Sequence, residues 1–267
     1  MTTSAENHFD RTLAAYEQWC DPCSGLFSRA ALDGAPLPPR AGVLDVCAGM
    51  GALAVPAAER GYDVCAIDLS SEMVARATER LRPYPRSSAT MMDALHLQYD
   101  DNTFDAAFSV LGVVYFGPET ATALTEMVRV VRPGGLVSIV NWAHPMGAPF
   151  FSPVARAINR MDDPEVGQFV APLTEYLERS ELEQALSNAG CVDPWSQRVE
   201  AAYPLPPADT FMAELDPVFQ VHPQYRAAAT SDRDRLRELL TQEASVMVRG
   251  DLPPALANVA YARVPNG

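Results

Sequence analysis

Short apolar runs alternate with amphipathic stretches through the first half of the chain. Four short apolar runs predict strands at 42–47, 62–68, 104–110 and 135–142, and a further strand is expected at 86–92, before Asp93. The amphipathic stretches between them predict helices at 52–60, 70–81 and 119–131. Ser70 or Ser71 is a candidate N-cap of the second helix, which Pro83 ends. This alternation is typical of an α/β fold in which a parallel sheet carries helices on both faces.

The flanks of this region follow a less regular pattern. Residues 5–33 predict one or two helices, with Phe9, Leu13, Tyr16 and Trp19 on one apolar face. After Trp142 the chain predicts helices at 151–160, 173–189 and 233–248 and strands at 191–200 and 256–264. Two insertions, 143–172 and 201–254, are expected to form a helical lid and are called the lid segments below. Long insertions beside a rigid scaffold usually carry substrate recognition.

The first predicted strand runs into a turn rich in small residues, Asp45-Val46-Cys47-Ala48-Gly49-Met50-Gly51. Glycines let the backbone approach a ligand closely, and the N-terminus of the following helix offers free N–H groups. About twenty residues later the second strand ends at Asp68, a position where an acidic side chain would hold a ribose diol. Strand, turn and helix in this order predict a nucleotide-binding unit.

This turn resembles the first motif of the class I S-adenosylmethionine-dependent methyltransferases. Four further segments resemble later motifs of that family in the expected order: Asp68-Leu69-Ser70 with Met73, Asp93-Ala94, residues 101–109, and Arg132-Pro133-Gly134-Gly135. The resemblance covers residues 40–142 well and the flanks weakly. It departs from the family at Cys47, which stands where the first glycine of the turn is most common.

The resemblance implies a Rossmann-like sheet of seven strands, mostly parallel, with the last strand antiparallel. It implies one methyltransferase domain over residues 1–267, with an N-terminal helical segment at 1–34 and a cofactor-binding core at 40–142. The implied cofactor is S-adenosylmethionine and the product S-adenosylhomocysteine, with Asp45, Gly49 and Gly51 at the methionine part, Asp68 at the ribose and Asp93 at the adenine. The full set of implied cofactor-binding residues is Asp45, Cys47, Ala48, Gly49, Gly51, Asp68, Leu69, Met73, Asp93, Ala94, Ser109 and Val110.

A dinucleotide-binding turn is an alternative interpretation of the same residues. Gly49-x-Gly51-x-x-Ala54 satisfies the relaxed fingerprint of such turns, although that pattern alone is weak. Asp45 argues against it, because a carboxylate before the glycines would repel a pyrophosphate. The same carboxylate could hydrogen-bond the ammonium group of a methionine moiety.

Methyl transfer to a phenol, alcohol or carbon acid needs a base, whereas a neutral amine needs none. The catalytic candidates are His144, just beyond the fifth strand, and Tyr115, beyond the fourth, with His222 as a weaker third. The residues predicted to line a substrate pocket are Tyr16, Trp19, Tyr115, Phe116 and Phe151. For Tyr16 and Trp19, anchoring of the leading helix to the sheet is an equally good explanation.

Charge and composition narrow the choice of partners. The 267 residues carry a formal net charge of −14, which argues against nucleic acid and anionic membranes as partners. No apolar run approaches a membrane span, and the N-terminus lacks the features of a signal peptide, so we expect a cytoplasmic protein. The five cysteines predict no metal site, and Cys20-x-x-Cys23 has no second pair to support one.

The sequence therefore predicts a methyltransferase acting on a small, apolar or aromatic metabolite. Two alternatives stay open: a related protein that binds S-adenosylmethionine without transferring methyl, and a nicotinamide-dependent oxidoreductase. The sequence does not determine the methyl acceptor, the atom that is methylated or the oligomeric state.

Overall fold

The computed structural model describes residues 13–171, 173, 175–203, 205–249 and 254–266. Phe9 and the beginning of the predicted leading helices lie outside these ranges. In the first half of the chain the helices and strands are α1 (Leu13–Trp19), α2 (Asp21–Asp33), β1 (Gly42–Val46), α3 (Ala54–Glu59), β2 (Asp63–Asp68), α4 (Ser71–Leu81), β3 (Ser88–Met91), β4 (Phe104–Val110) and α5 (Thr120–Val130). In the second half they are β5 (Val131–Trp142), α6 (Phe151–Met161), α7 (Arg179–Asn188), β6 (Val192–Ala201), α8 (Phe211–Phe219), α9 (Pro223–Ser231), α10 (Arg233–Arg249) and β7 (Ala255–Arg263).

The seven strands form one sheet in the order β3-β2-β1-β4-β5-β7-β6. β1 pairs in parallel with both β2 and β4, whereas β7 is antiparallel to both of its neighbours, β5 and β6. The predicted Rossmann-like sheet with an antiparallel last strand is confirmed. The strand order reverses between β1 and β4, and in open α/β sheets ligands bind beyond the carboxyl ends of the strands at such a reversal.

Both faces of the sheet are covered, because successive side chains of a buried strand point to opposite sides. In β1, Val43 belongs to the core cluster that includes residues of α2 and α3. Its neighbour Leu44 belongs to a second cluster, which includes residues of α5 and α7. The side chains of Val43 and Leu44 are both fully buried. The sheet therefore sits between two helical layers, which leaves its carboxyl edge as the place for a ligand.

Several boundaries differ from the predictions. α7 begins at Arg179 rather than near 173, because Glu178 caps it in a reciprocal capping box with Glu181. β5 begins at Val131 rather than 135, through a bulged pairing with β4. α8 and α9 were not predicted, since both are short and Pro217 lies inside the first of them. None of the helices within the described ranges combines the length and the apolar character needed to cross a bilayer.

Candidate functional site

The side chain of Asp45 stabilises the turn after β1. This carboxylate is almost fully buried, with 1% of the residue exposed, and its Oδ2 accepts the N–H of Ala54 at 2.9 Å. Ala54 is the first residue of α3, so Asp45 ties the end of the strand to the start of the helix. Burial raises the pKa of Asp45 to about 7, and the charge of Asp68 acts in the same direction. Asp45 is thus first of all a structural anchor of the turn.

Asp68, at the end of β2, forms a hydrogen bond with the same turn. Its Oδ2 accepts the N–H of Gly49 at 2.8 Å and its Oδ1 accepts the N–H of Ser70 at 3.0 Å. Ser70 in turn caps α4 by accepting the N–H of the buried Met73, which confirms the predicted cap. Each carboxylate oxygen has two lone pairs, so Asp68 keeps accepting capacity for a ligand hydroxyl on either oxygen.

Gly112, in the turn after β4, packs against Cys47. A Cβ on Gly112 would lie 2.5 Å from Cys47 Cβ and 2.7 Å from the Oγ of Ser109, so no larger residue fits there. Ser109 accepts the N–H of Val113 through the same Oγ at 3.1 Å and orders this turn; Val110, half-buried, precedes it. Cys47 has a left-handed backbone, with φ of 59°, as glycine would favour. The missing side chain at Gly112 therefore makes room for the cysteine in the glycine turn.

The surroundings of Cys47 are acidic. Burial raises the pKa of its thiol, and the carboxylates of Asp68, Asp45 and Asp93 raise it further. Asp93 follows β3, where its Oδ1 accepts the N–H of Leu95 at 2.9 Å. Three carboxylates around one turn suit a ligand that carries positive charge better than a pyrophosphate.

The remaining residues implied for the cofactor differ in exposure. Leu69, next to Asp68, is exposed, whereas Ala48 and Ala94 are buried. Gly49 and Gly51 both have positive φ, 53° and 85°. The structure therefore brings the implied residues to the carboxyl ends of β1 to β4.

The N-terminal helices lie over the glycine turn. A Cβ built on Gly49 would come within 3.6 Å of the Oη of Tyr16. Arg80 of α4 donates through Nη1 to Asp21 of α2 at 2.9 Å and to the carbonyl of Met50 at 3.0 Å. One guanidinium thus joins the leading helices to the turn, and Tyr16 stands at the border of the ligand site.

Tyr16 is also one of the residues that line a cavity of about 330 Å³. Its walls come from α1, α2, the ends of β4 and β5, and both lid segments. Tyr115 and Phe151, predicted for the substrate pocket, line it together with Tyr16. Trp19 and Phe116 do not line it and pack against the core clusters instead. Most of the other lining side chains are apolar, among them Leu111, Trp142, Phe150, Leu173, Val218 and Val221.

Comparison with known proteins agrees with this geometry. A family model described as a methyltransferase domain matches residues 43–135. The demethylmenaquinone methyltransferase of Beutenbergia cavernae is 33% identical over 166 residues, which are 58% of this chain and 64% of the relative. The demethylmenaquinone methyltransferase of Streptomyces avermitilis is 32% identical over 166 residues, 58% of this chain and 68% of the relative. This chain belongs to the class I S-adenosylmethionine-dependent methyltransferases.

The likeness to solved structures concerns the fold of this chain. Phosphoethanolamine N-methyltransferase 2 of Haemonchus contortus, solved in complex with S-adenosyl-L-methionine, superposes with a TM-score of 0.59 at 20% identity. The match covers 99% of this chain and 60% of that one. This chain spans 64% of the length of the demethylmenaquinone methyltransferase of Beutenbergia cavernae.

The two candidate histidines, His144 and His222, occupy different places. His144 is exposed, and its Nδ1 accepts the N–H of Met146 at 3.1 Å; it does not line the cavity. His222, the weaker candidate, lines the cavity. Tyr115 lines it as well; it is a neutral phenol near pH 7, because the ordinary pKa of a tyrosine hydroxyl is about 10. Tyr203 also lines the cavity and was not predicted, since a tyrosine in a proline-rich stretch carries no local signal.

Proposed function

We propose that this protein transfers the methyl group of S-adenosylmethionine to a small, apolar aromatic metabolite of the quinone or hydroquinone type. The observation that carries the proposal is the position of Tyr16, which borders both the glycine turn and the apolar cavity. A methyl donor held at the turn would then face an acceptor held in the cavity. The names of the two demethylmenaquinone methyltransferases support the acceptor class.

We assign the cofactor to the residues around the turn. Asp68 would accept hydrogen bonds from the ribose hydroxyls, Asp93 from the adenine amino group, and the backbone at Gly49 and Gly51 would approach the methionine part. The buried charge of Asp45 would favour the ammonium group of that part. The acidic surroundings of the turn support a cationic cofactor over a nicotinamide dinucleotide.

We assign the acceptor to the cavity and its recognition to the two lid segments. A volume of about 330 Å³ suits a small aromatic molecule. No Asp, Glu, Lys or Arg of the described residues lines it, which favours an uncharged acceptor. The cofactor supplies a methyl group bonded to a sulfonium; the aromatic walls exclude water and align the acceptor with it. A cytoplasmic location and the absence of a nucleic-acid partner stay predictions.

Calorimetric titration with S-adenosylhomocysteine, with NADH in parallel, tests the cofactor. We expect micromolar binding of the first ligand and none of the second. Asp68→Ala should weaken that binding about a hundredfold, because it removes hydrogen bonds to a charged group. Asp234→Ala is the matched control, since Asp234 lies exposed at the start of α10. Binding of NADH alone would overturn the proposal.

Mass spectrometry of incubations with S-adenosylmethionine tests the transfer itself. Naphthohydroquinones, naphthols and simple catechols form the panel of acceptors, with the corresponding hydrocarbons as controls. We expect methylated product from at least one hydroxylated naphthalene. Tight binding of S-adenosylhomocysteine without product from any of them would favour a binding protein that does not transfer methyl.

A further inference from the structure

The wall of the cavity at the start of α6 is aromatic. Phe150 and Phe151 both line the cavity, and their ring centroids lie 5.0 Å apart. Phe150 is 2% exposed, whereas Phe151, the first residue of α6, is half-buried. Of these two rings, Phe151 therefore has more surface that a ligand in the cavity can contact.

A third ring, Phe219 of α8, supports both of them. Its centroid lies 5.9 Å from that of Phe150 and 5.8 Å from that of Phe151. Phe219 is fully buried and does not line the cavity. It therefore fills the space beyond the two lining rings, which leaves them little room to turn away from a ligand.

Further buried rings surround Phe219. The centroids of Phe211 and Tyr225 lie 5.8 Å and 5.3 Å from its own, and both residues are fully buried. The hydroxyl of Tyr225 donates to Asp216 at 2.6 Å, and Arg233 donates to the same carboxylate at 3.0 Å. Protein interiors are packed as densely as organic crystals, so no ring of such a cluster moves aside without a clash or a void. A ligand in the cavity therefore cannot extend through this wall.

The size of the cavity sets a limit on the acceptor as well. Its volume of about 330 Å³ is at the low end of the range of about 300–1,000 Å³ for small-molecule sites. If each nonhydrogen atom takes about 30 Å³, as a water molecule does in the liquid, the cavity holds about eleven of them. A phenol with two fused rings fills that space. One isoprene unit attached to it would need about half as much space again.

The charge of the chain favours the same kind of acceptor. A hydroquinone with a long isoprenoid chain collects in membranes, because each methylene group gains free energy on leaving water. The 267 residues carry a formal net charge of −14, which disfavours contact with anionic lipid headgroups. An acceptor without such a chain is dissolved in water and reaches the cavity without this contact.

We propose, on the basis of the methyl transfer put forward above, that Phe151 limits the acceptor to two-ring phenols and hydroquinones that carry no isoprenoid chain. Phe150 and Phe219 hold its ring in place. Phe151 determines which acceptor enters and takes no part in the transfer itself. Loss of its ring should make room for one isoprene unit, because a phenyl ring has more carbon atoms than that unit.

Calorimetric titrations of the protein loaded with S-adenosylhomocysteine test this limit without turnover. The probes are 1-naphthol and 2-prenyl-1-naphthol, which differ by one isoprene unit. In an unrestricted apolar site the added carbon atoms would raise the affinity. We expect the wild type instead to bind the prenyl compound at least about tenfold more weakly, because the chain overpacks the cavity.

Phe151→Ala should reverse this order, so that the prenyl compound binds more tightly than 1-naphthol. Phe151→Leu removes less of the side chain, keeps the site apolar and should give an intermediate ratio of the two affinities. Phe211→Ala is the matched control. It removes a ring from the same cluster but not from the cavity wall, so the order seen in the wild type should be kept. Thermal unfolding of each variant shows that it is folded.

Competition between the two naphthols during turnover gives a second measurement. With S-adenosylmethionine and equal amounts of both compounds, mass spectrometry should find at least about tenfold more methylated 1-naphthol from the wild type, and the excess should disappear in Phe151→Ala. A wild type that binds the prenyl compound as tightly as 1-naphthol, or binds neither, would overturn the proposal. So would folded Phe151 variants that keep the order of the wild type. Failure of the proposed function is distinct: the naphthol would bind with the expected preference, but none of the acceptors would be methylated.

Discussion

Arg80 and Asp21, which are 59 residues apart in sequence, form a half-buried ion pair above the glycine turn. The guanidinium lies 2.9 Å from Asp21 and also donates to the carbonyl of Met50. Burial raises the pKa of Asp21, and the charge of Arg80 opposes this shift. The side chain of Asp21 is 10% exposed, whereas that of Arg80 is 37% exposed, so solvent screens the pair only in part.

Arg80→Gln should destabilise the protein and weaken cofactor binding. It leaves the carboxylate of Asp21, whose Oδ1 already has no partner among the described residues, without its cation. We expect the unfolding free energy measured in urea to fall by about 1 kcal/mol. This value is at the low end of the cost of breaking a buried hydrogen bond, because solvent partly screens the Arg80–Asp21 pair. S-adenosylhomocysteine should bind about tenfold more weakly, since the turn loses its link to α2.

Arg82→Gln, at the exposed end of the same helix, is the control and should leave both quantities unchanged. If Arg80→Gln behaved like this control, the link between α2 and the turn would have no role in binding.

Gly112→Ala should disrupt the cofactor site more than any distant glycine substitution. The new Cβ would lie 2.5 Å from that of Cys47, so the turns after β1 and β4 would move apart. We expect a loss of about 1–3 kcal/mol of stability from overpacking and a clear drop in affinity for S-adenosylhomocysteine.

Gly25→Ala is the matched control, because no atom lies within 4 Å of its added Cβ in α2. That change should stabilise the protein by about 0.5–1 kcal/mol. Adding Cys47→Gly to Gly112→Ala removes one of the clashing atoms and relieves the left-handed strain of the cysteine, so affinity should recover in part. Calorimetry on the three variants would contradict this account if all of them bound alike.

The carboxyl of Asp45 should make the stability of the ligand-free protein fall as pH rises. Its pKa is raised to about 7 in the folded state, against about 3.9 when unfolded. Below the lower value both states bind the proton, between the two values only the folded state does, and above the upper value neither does. The unfolding free energy therefore declines between about pH 4 and pH 7.

Asp45→Asn isolates this effect, because the amide oxygen can still accept the N–H of Ala54. The stability of wild type relative to the variant should decline by at least about 1.4 kcal/mol across that range, the equivalent of one pKa unit. Denaturant titrations at pH 5 and pH 8 measure the difference. A difference that did not vary with pH would show that Asp45 stays ionised throughout.

Asn258→Leu should loosen the stretch that leads from the cavity wall into α7. Asn258 is fully buried in β7, and its Nδ2 donates to the carbonyl of Leu177 at 2.6 Å. Opposite it in β5, Asn141 donates to the carbonyls of Glu175 and Tyr176, each at 3.2 Å. The variant removes the donor of the half-buried Leu177 carbonyl and the acceptor of Arg198 Nε, which costs about 1 kcal/mol.

Asn188→Leu, on the exposed side of α7, should cost little by comparison. Hydrogen exchange of residues 175–177 should rise in the Asn258 variant alone. Equal exchange in the two variants would contradict a role of the asparagine pair in holding this stretch.

Local pattern was enough to predict the sheet and the turn. The strands around Val43 and Val64 are buried on both sides and therefore appear as apolar runs. The cap of α4 at Ser70 follows from the residue type and its position before an amphipathic stretch. These features depend on neighbours along the chain, so one sequence suffices to find them.

The lid segments were predicted less well. α8 contains Pro217, which local propensity treats as a helix breaker, yet its apolar residues Phe211, Leu215 and Phe219 are fully buried against other parts of the chain. The free energy gained by burying these apolar side chains outweighs the cost of a proline inside the helix. The start of α7 depended on Glu178 acting as a cap, and glutamate is not among the favoured cap residues.

The sequence by itself determined the succession of strands and helices from β1 to β5, the glycine turn, and the acidic residues at the ends of β1 and β2 and after β3. Only the tertiary structure decided which side chains meet at the cavity: His222 and Tyr203 line it, whereas His144, Trp19 and Phe116 do not. The reason is physical. Periodicity records whether a residue is buried or exposed on its own element, but a cavity is built from elements far apart in sequence, whose facing sides are chosen by how the helices pack on the sheet.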